Sequence, residues 1–236
     1  MIFGGIQKNS LIDYPEKVSC ILFLSGCNFR CPYCHNPQLV AETKTPPDFL
    51  TEKWFLQFLE KRKGFLDGVV VSGGEPTLQN RIPLLCKKIK AMGYPIKIDT
   101  NGSRPDILKH LIDDRLVDYI AMDIKTVPNS YYPHIAKENR PETILSSIRI
   151  ILESKIDHEF RTTCVRPFIT EEIIRKITVL IEGADRFVLQ QFQDTGILNP
   201  AFFEATGALY TGSELRRFRT LSQPYVRVCT IRGIND

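Results

Sequence analysis

An α/β fold is predicted for this chain by two observations. Apolar, β-branched runs alternate with segments of helical period, and polar motifs recur at the C-terminal ends of those runs. Size agrees: 236 residues at 43% hydrophobic content can build one substantial core, and α/β barrels of this length form single domains. The expected domain is the whole chain, 1–236, since no low-complexity stretch or linker divides it.

The strands expected from composition are Cys20–Leu24, Val69–Ser72, Ile96–Asp99, Tyr119–Asp123, Glu159–Cys164 and Phe187–Gln190. Helices are expected between them. Ile82, Leu85, Cys86, Ile89 and Met92 share one apolar face, and Ile144, Leu145, Ile148, Ile151 and Leu152 another. A third face is Ile173, Ile174, Ile177, Leu180 and Ile181, with Thr170 placed as N-cap and Glu171 and Glu172 in the first turn. Thr43–Asp48 and Thr126–Pro141 are polar and contain proline, so they are expected as loops. The tail from Thr211 adds a short helix and a strand-like Val226–Ile231.

Each expected strand ends in chemistry-bearing residues. The first runs into a cysteine loop and the second into Gly73-Gly74-Glu75-Pro76. The third ends in Asp99-Thr100-Asn101-Gly102 and the fourth in Met122-Asp123-Ile124-Lys125. The fifth carries Arg161-Thr162-Thr163 and the sixth Gln190-Gln191. Any one of these reads as a turn. Together they describe one site, because parallel βα architectures gather ligands at the C-terminal ends of their strands.

The cysteine loop is Ser25-Gly26-Cys27-Asn28-Phe29-Arg30-Cys31-Pro32-Tyr33-Cys34-His35-Asn36-Pro37, with spacing C-x3-C-x2-C. Three thiolates on a short loop can hold three corners of a cubane iron–sulfur cluster. An electron-transfer cluster normally takes four cysteines, so a three-cysteine loop leaves one iron open to a small molecule, as in catalytic metal sites. Two other readings compete. Cys27, Cys31, Cys34 and His35 could form a Cys3His zinc site, although adjacent Cys34 and His35 are poorly spaced for one ion. A plain iron–sulfur carrier would need a fourth ligand from Cys20, Cys86, Cys164 or Cys229, each of which lies in an apolar or strand-like run and reads as core packing.

Seven cysteines, three of them in the loop, argue against a disulfide framework and for a reducing cytoplasm. No apolar run approaches a membrane span, and Met1–Ser10 lacks a signal core. The net charge of +4 is mild, and Lys61-Arg62-Lys63 closes an expected helix, where cations favour the dipole. Neither a nucleic-acid nor a membrane partner is expected.

With these motifs in place, the chain resembles the radical S-adenosylmethionine (SAM) superfamily. Within it, the chain is similar to the activating proteins of glycyl-radical enzymes, in particular those serving anaerobic ribonucleoside-triphosphate reductases. The resemblance runs through Ser10-Leu11-Ile12-Asp13-Tyr14-Pro15, the cysteine loop, Val71–Pro76, Asp99–Gly102, Met122–Lys125, Arg161–Thr163 and Leu189-Gln190-Gln191-Phe192. It implies a partial (βα)6 TIM-like barrel of the radical SAM type. It also implies a 4Fe–4S cluster on Cys27, Cys31 and Cys34, with SAM chelating the open iron.

The same resemblance places Tyr33 by the adenine, and the Gly73 and Gly74 backbone, with Glu75, at the SAM ammonium. Asp123 would meet the ribose hydroxyls and Lys125 the carboxylate, contacts that suit an acceptor and an ammonium. Asp99 and Thr100, with Asp123 and the Met122 carbonyl, resemble a monovalent-cation site. Arg161 is a further candidate, and Arg166 reads equally as a surface residue. No side-chain acid or base is implied: the cofactor does the chemistry, producing a radical that takes hydrogen from a glycine Cα of a partner. A flavodoxin or ferredoxin would supply the electron.

Glu16 stands where related activases commonly have glycine, and no further cysteine cluster follows the first. The competing readings are a small-molecule enzyme of the same superfamily, such as a 7-carboxy-7-deazaguanine synthase, and a non-enzymatic iron–sulfur or zinc protein.

Overall fold

A computed structural model describes residues 1–40, 50–204 and 207–234, so the connection expected at Thr43–Asp48 lies outside the described residues. Eight strands are seen among them: β1 (Phe3–Ser10), β2 (Ser19–Leu24), β3 (Gly68–Gly73), β4 (Ile96–Thr100), β5 (Tyr119–Asp123), β6 (Asp157–Cys164), β7 (Arg186–Gln191) and β8 (Val228–Arg232). The helices are α1 (Pro37–Val40), α2 (Glu52–Glu60), α3 (Ile82–Ala91), α4 (Pro105–Asp113), α5 (Pro141–Glu153), α6 (Glu171–Leu180) and α7 (Gly212–Ser222). Contacts group the chain into two units: Met1–Asn28, Gln38–Thr100 and Asp106–Ile120 form the first, and Phe29–Pro37, Asn101–Pro105 and Ala121–Asp236 the second.

In the first unit β2, β3 and β4 run parallel, with Leu24 level with Gly73 and Val71 level with Ile98. Ser-Cys-Ile-Leu-Phe-Leu and Gly-Val-Val-Val-Ser-Gly are nearly continuous buried runs, as strands covered on both faces must be. β1 pairs antiparallel with β2 and was not expected. Its Gly-Gly-Ile-Gln-Lys-Asn stretch lacks an alternating apolar pattern, and most of it stays partly or fully exposed. Tyr14, Ile21, Val70 and Tyr119 pack together with Phe23, the two tyrosine rings 5.8 Å apart. α2 begins where the Thr51 side chain accepts from the Trp54 amide, and it buries Phe55, Phe58 and Leu59. α3 buries Ile82, Leu85, Cys86 and Ile89, the expected face, and ends at the C-cap Met92.

In the second unit β6, β7 and β8 run parallel, with Thr163 level with Gln190 and Gln190 level with Arg232. α5 buries Ile144, Ile148 and Ile151. α6 starts at Thr170, whose side chain accepts from the Ile173 amide at 3.2 Å, as its sequence predicts. A capping box between Thr211 and Glu214 opens α7. Among the described residues no helix is long and apolar enough to cross a membrane.

Candidate functional site

At the strand ends of the first unit the backbone is tightly committed. The Gly26 amide donates to Leu39 O at 2.8 Å and the Cys27 amide to Val40 O at 3.2 Å, which fixes the start of the cysteine loop. The turn after β3 lies against it: Gly74 N–H donates to Leu24 O and Glu75 N–H to Gly26 O, both at 2.8 Å. Glycine is required there. A Cβ on Gly73, whose φ is +122°, would sit 2.3 Å from Leu24 O, and one on Gly74 would sit 2.1 Å from Gly26 O. An ammonium only donates, so contact of this turn with a ligand ammonium falls to its carbonyl oxygens rather than to the Gly74 and Glu75 amides.

Glu75 is 1% exposed. Its Oε1 caps the turn after β3, accepting from the Thr77 amide at 3.0 Å and from the Thr77 hydroxyl, and takes the Thr100 hydroxyl at 2.8 Å. Asp99 accepts the Lys97 ammonium on Oδ1 at 2.5 Å and the Ser72 hydroxyl on Oδ2 at 3.0 Å. The carboxylate expected at a monovalent cation therefore already carries an internal ammonium. Lys97 is itself 1% exposed and was not singled out from sequence.

The second unit holds Cys31, Tyr33, Cys34, Asp123, Lys125 and Arg161. The Cys34 amide donates to Cys31 O at 3.0 Å, closing a tight turn. Leu198 N–H donates to Cys34 O and Asn199 N–H to Pro32 O, so the chain after β7 braces the loop. Tyr33 packs between Phe168 and Phe192, with ring centroids 5.4 and 6.5 Å away. Its hydroxyl is buried with no hydrogen-bond partner among the described residues. Burial, reinforced by Cys31, Tyr131, Asp123 and Cys34, pushes this phenol well above 10.0, so it stays protonated with an unspent donor. His35 Nε2 lies 2.7 Å from Gln193 O, which ties its ring down within the loop.

Asp123, at the end of β5, is held from two sides: Arg161 Nε donates at 2.7 Å and Lys125 Nζ at 2.9 Å. Burial alone would raise this carboxyl, but the two cations outweigh it and hold it well below the carboxylate range. Burial would likewise lower the Lys125 ammonium, and Asp123 and Cys31 together hold it above its ordinary value. The Lys125 amide donates to the Tyr131 hydroxyl at 2.9 Å. Arg166 lies elsewhere in the unit, bonded to Glu214 and over the Tyr210 ring at 4.0 Å. Sequence reasoning did not single out Glu159 and Arg232, which extend the Arg161–Asp123 pairing. Opposite charges two residues apart on one expected strand, Glu159 and Arg161, were the available signal.

No disulfide joins any of the seven cysteines, all of which lie among the described residues. Among the described residues no three His, Cys, Asp or Glu side chains converge where one metal ion could sit. A cubane asks for something else, since its thiolates each take a separate iron. Thiol donors suit iron–sulfur ligation. The ammonium of Lys125 beside Cys31, the carboxylate of Asp123 and the orphaned Tyr33 hydroxyl suit a ligand carrying a carboxylate, hydroxyls and ring nitrogens. The residues fit a cluster with an amino-acid nucleoside.

The family described as the Radical SAM superfamily matches residues 21–181. A Methanocaldococcus jannaschii protein provisionally named as a glycyl-radical enzyme activating enzyme is 34% identical over 241 residues, covering 99% of this chain and 97% of its own length. A 7-carboxy-7-deazaguanine synthase from Haemophilus influenzae is 33% identical over 132 residues, covering 55% of this chain and 52% of its own. The solved structure of Streptococcus suis SuiB bound to S-adenosylmethionine superposes with a TM-score of 0.68 at 16% identity, over 91% of this chain. The chain spans 52% of SuiB's length, and the likeness at this identity is one of fold. That fold is α/β with a parallel sheet, of the partial TIM-barrel type.

Proposed function

The chain belongs to the radical SAM superfamily, a family of enzymes that use a 4Fe–4S cluster and S-adenosylmethionine, and on that footing we propose that it installs the glycyl radical of a partner enzyme. The partner in this reading is an anaerobic ribonucleoside-triphosphate reductase. The observation that carries the activase assignment is the end-to-end match to a relative named as an activating enzyme. The choice of reductase rests on the resemblance that runs along the chain from Ser10–Pro15 to Leu189–Phe192.

Cys27, Cys31 and Cys34 would hold the cluster. The chemistry supplied when cluster and SAM are bound is one-electron cleavage of a carbon–sulfur bond, giving methionine and a 5′-deoxyadenosyl radical that can take hydrogen from a glycine Cα. In this reading Lys125 binds the SAM carboxylate and Asp123 the ribose hydroxyls, with Tyr33 lying by the adenine. The carbonyls of the Gly73–Gly74 turn take the ammonium, while Glu75 and Thr100 hold that turn in shape. A monovalent cation at Asp99 would have to share the carboxylate with Lys97. No side chain acts as acid or base. Residues 1–236 work as one catalytic domain in the cytoplasm, and a flavodoxin or ferredoxin delivers the electron.

A second reading, a small-molecule enzyme of the same superfamily, is supported by the partial match to the deazaguanine synthase. The deciding experiment mixes the anaerobically reconstituted protein with SAM, reductant and the reductase of the same organism. The EPR spectrum is recorded while 5′-deoxyadenosine is quantified. A glycyl-radical doublet is expected. Deoxyadenosine without a doublet on any glycyl-radical enzyme would favour the small-molecule reading. Neither signal from protein with an intact cluster would overturn both.

A further inference from the structure

The pairing around Asp123 does not stop at Arg161. Glu159 and Arg161 lie two residues apart on β6, on the same face of the strand. Glu159 is fully buried, and Arg232 grips it from β8, across β7, with Nη2 to Oε2 at 2.9 Å and Nη1 to Oε1 at 3.3 Å. Arg161 Nη1 stands 3.9 Å from that same Oε1, beyond hydrogen-bond reach, while its Nε is bonded to Asp123 at 2.7 Å. Lys125 completes the series on the far side of Asp123. Read from β8, the charges alternate: Arg232, Glu159, Arg161, Asp123, Lys125.

A buried carboxylate must be paired, and a partner removed on one side is sought on the other. Without Arg232, the cation closest at hand for Glu159 in this series is Arg161, which sits one short movement from bonding it. Such a movement would draw the guanidinium off Asp123 and leave Asp123 to turn fully onto Lys125. Both groups would then be less available to a ligand.

We propose that Arg232 is a remote positioning residue for the S-adenosylmethionine site: by satisfying Glu159 it leaves Arg161 to orient Asp123. The proposal rests on the reading of Asp123 and Lys125 as SAM contacts. It gives the last strand a task in the site that the cysteine loop and the strand-end motifs do not reveal.

The test is an anaerobic titration of the reconstituted full chain with SAM by equilibrium dialysis. Arg232→Gln is expected to weaken binding about tenfold, a usual size for coupling within one charge network. Arg232→Lys should keep most of the affinity. The double variant Arg232→Gln with Glu159→Gln should return to within about twofold of wild type, because the charge that would draw Arg161 away from Asp123 has been removed. Unchanged affinity in Arg232→Gln overturns the proposal, as does a double variant as weak as the single one. If Arg232→Gln does not fold, the double variant decides alone by the same criterion. A wild-type protein that binds no SAM overturns the underlying reading, and this proposal with it, which separates that failure from a failure of the Arg232 coupling.

Discussion

Burial lifts the thiols of Cys20, Cys86 and Cys164 to about 12 and that of Cys229 to about 11, so all four stay protonated at neutral pH. A metal ligand must be a thiolate. Cys31 stands instead in the three-cysteine loop, where the Cys34 amide donates to its carbonyl at 3.0 Å. Replacing Cys31 by alanine should therefore abolish both the reconstituted iron content and the formation of 5′-deoxyadenosine. Cys86→Ala removes a small, fully buried side chain from α3; it should cost about 1 kcal/mol of stability and leave activity within about twofold. Iron analysis and deoxyadenosine quantification on both variants check this, and equal losses would sink the ligand assignment. At this scale the sequence was informative where chemistry is local: the loop cysteines stand out because three thiols in eight positions are hard to explain by packing. It was less so for Glu75, whose Oε1 is taken up by Thr77 and Thr100, the latter 25 residues away.

Elements were legible in proportion to how much of their signal lies within the element. The six strands expected from apolar runs all form, and Thr170 caps α6, because burial on both faces and a free amide at N3 leave direct marks on composition. β1 was not expected because its stability comes from pairing with β2 rather than from its own pattern. The turn after β3 shows the same dependence on a neighbour. Its glycines read as an ordinary turn or a ligand cradle, and the structure adds a packing reason, since a Gly74 Cβ would meet Gly26 O at 2.1 Å and Leu39 O at 3.0 Å. Both obstacles are backbone and cannot rotate aside. Gly74→Ala should thus cost about 3 kcal/mol, the upper range for overpacking. On β1, Gly5 has only Phe23 within 4 Å, at 3.9 Å. Gly5→Ala should be neutral or stabilise by up to about 1 kcal/mol through the unfolded chain. Urea midpoints measured side by side test the pair, and similar midpoints would show that the close approach at Gly74 is relieved by small backbone shifts.

For the molecule as a whole, the cofactor assignment makes a claim about stability as well as activity. A ligand that binds only the native state raises the free energy of unfolding by mass action, about 2.7 kcal/mol at a hundredfold excess over its dissociation constant. For a chain of roughly this length each kcal/mol moves the melting temperature by about 2–4 °C. Saturating SAM should therefore raise the anaerobic melting temperature of the reconstituted protein by about 5–10 °C. The residues assigned to SAM come from positions as far apart in sequence as Tyr33 and Lys125, and in the unfolded chain nothing holds such residues together, so affinity for that state is negligible. This is also why the assembled site was only partly legible. The strand-end motifs could be placed in order along the chain, but the Arg232–Glu159 contact joins residues 73 positions apart, and no local pattern announces it. An unchanged melting temperature at saturating SAM, in protein whose iron content confirms the cluster, would mean that the native state does not bind it. The assignments of Tyr33, Asp123 and Lys125 would then fall together, because they depend on that one ligand.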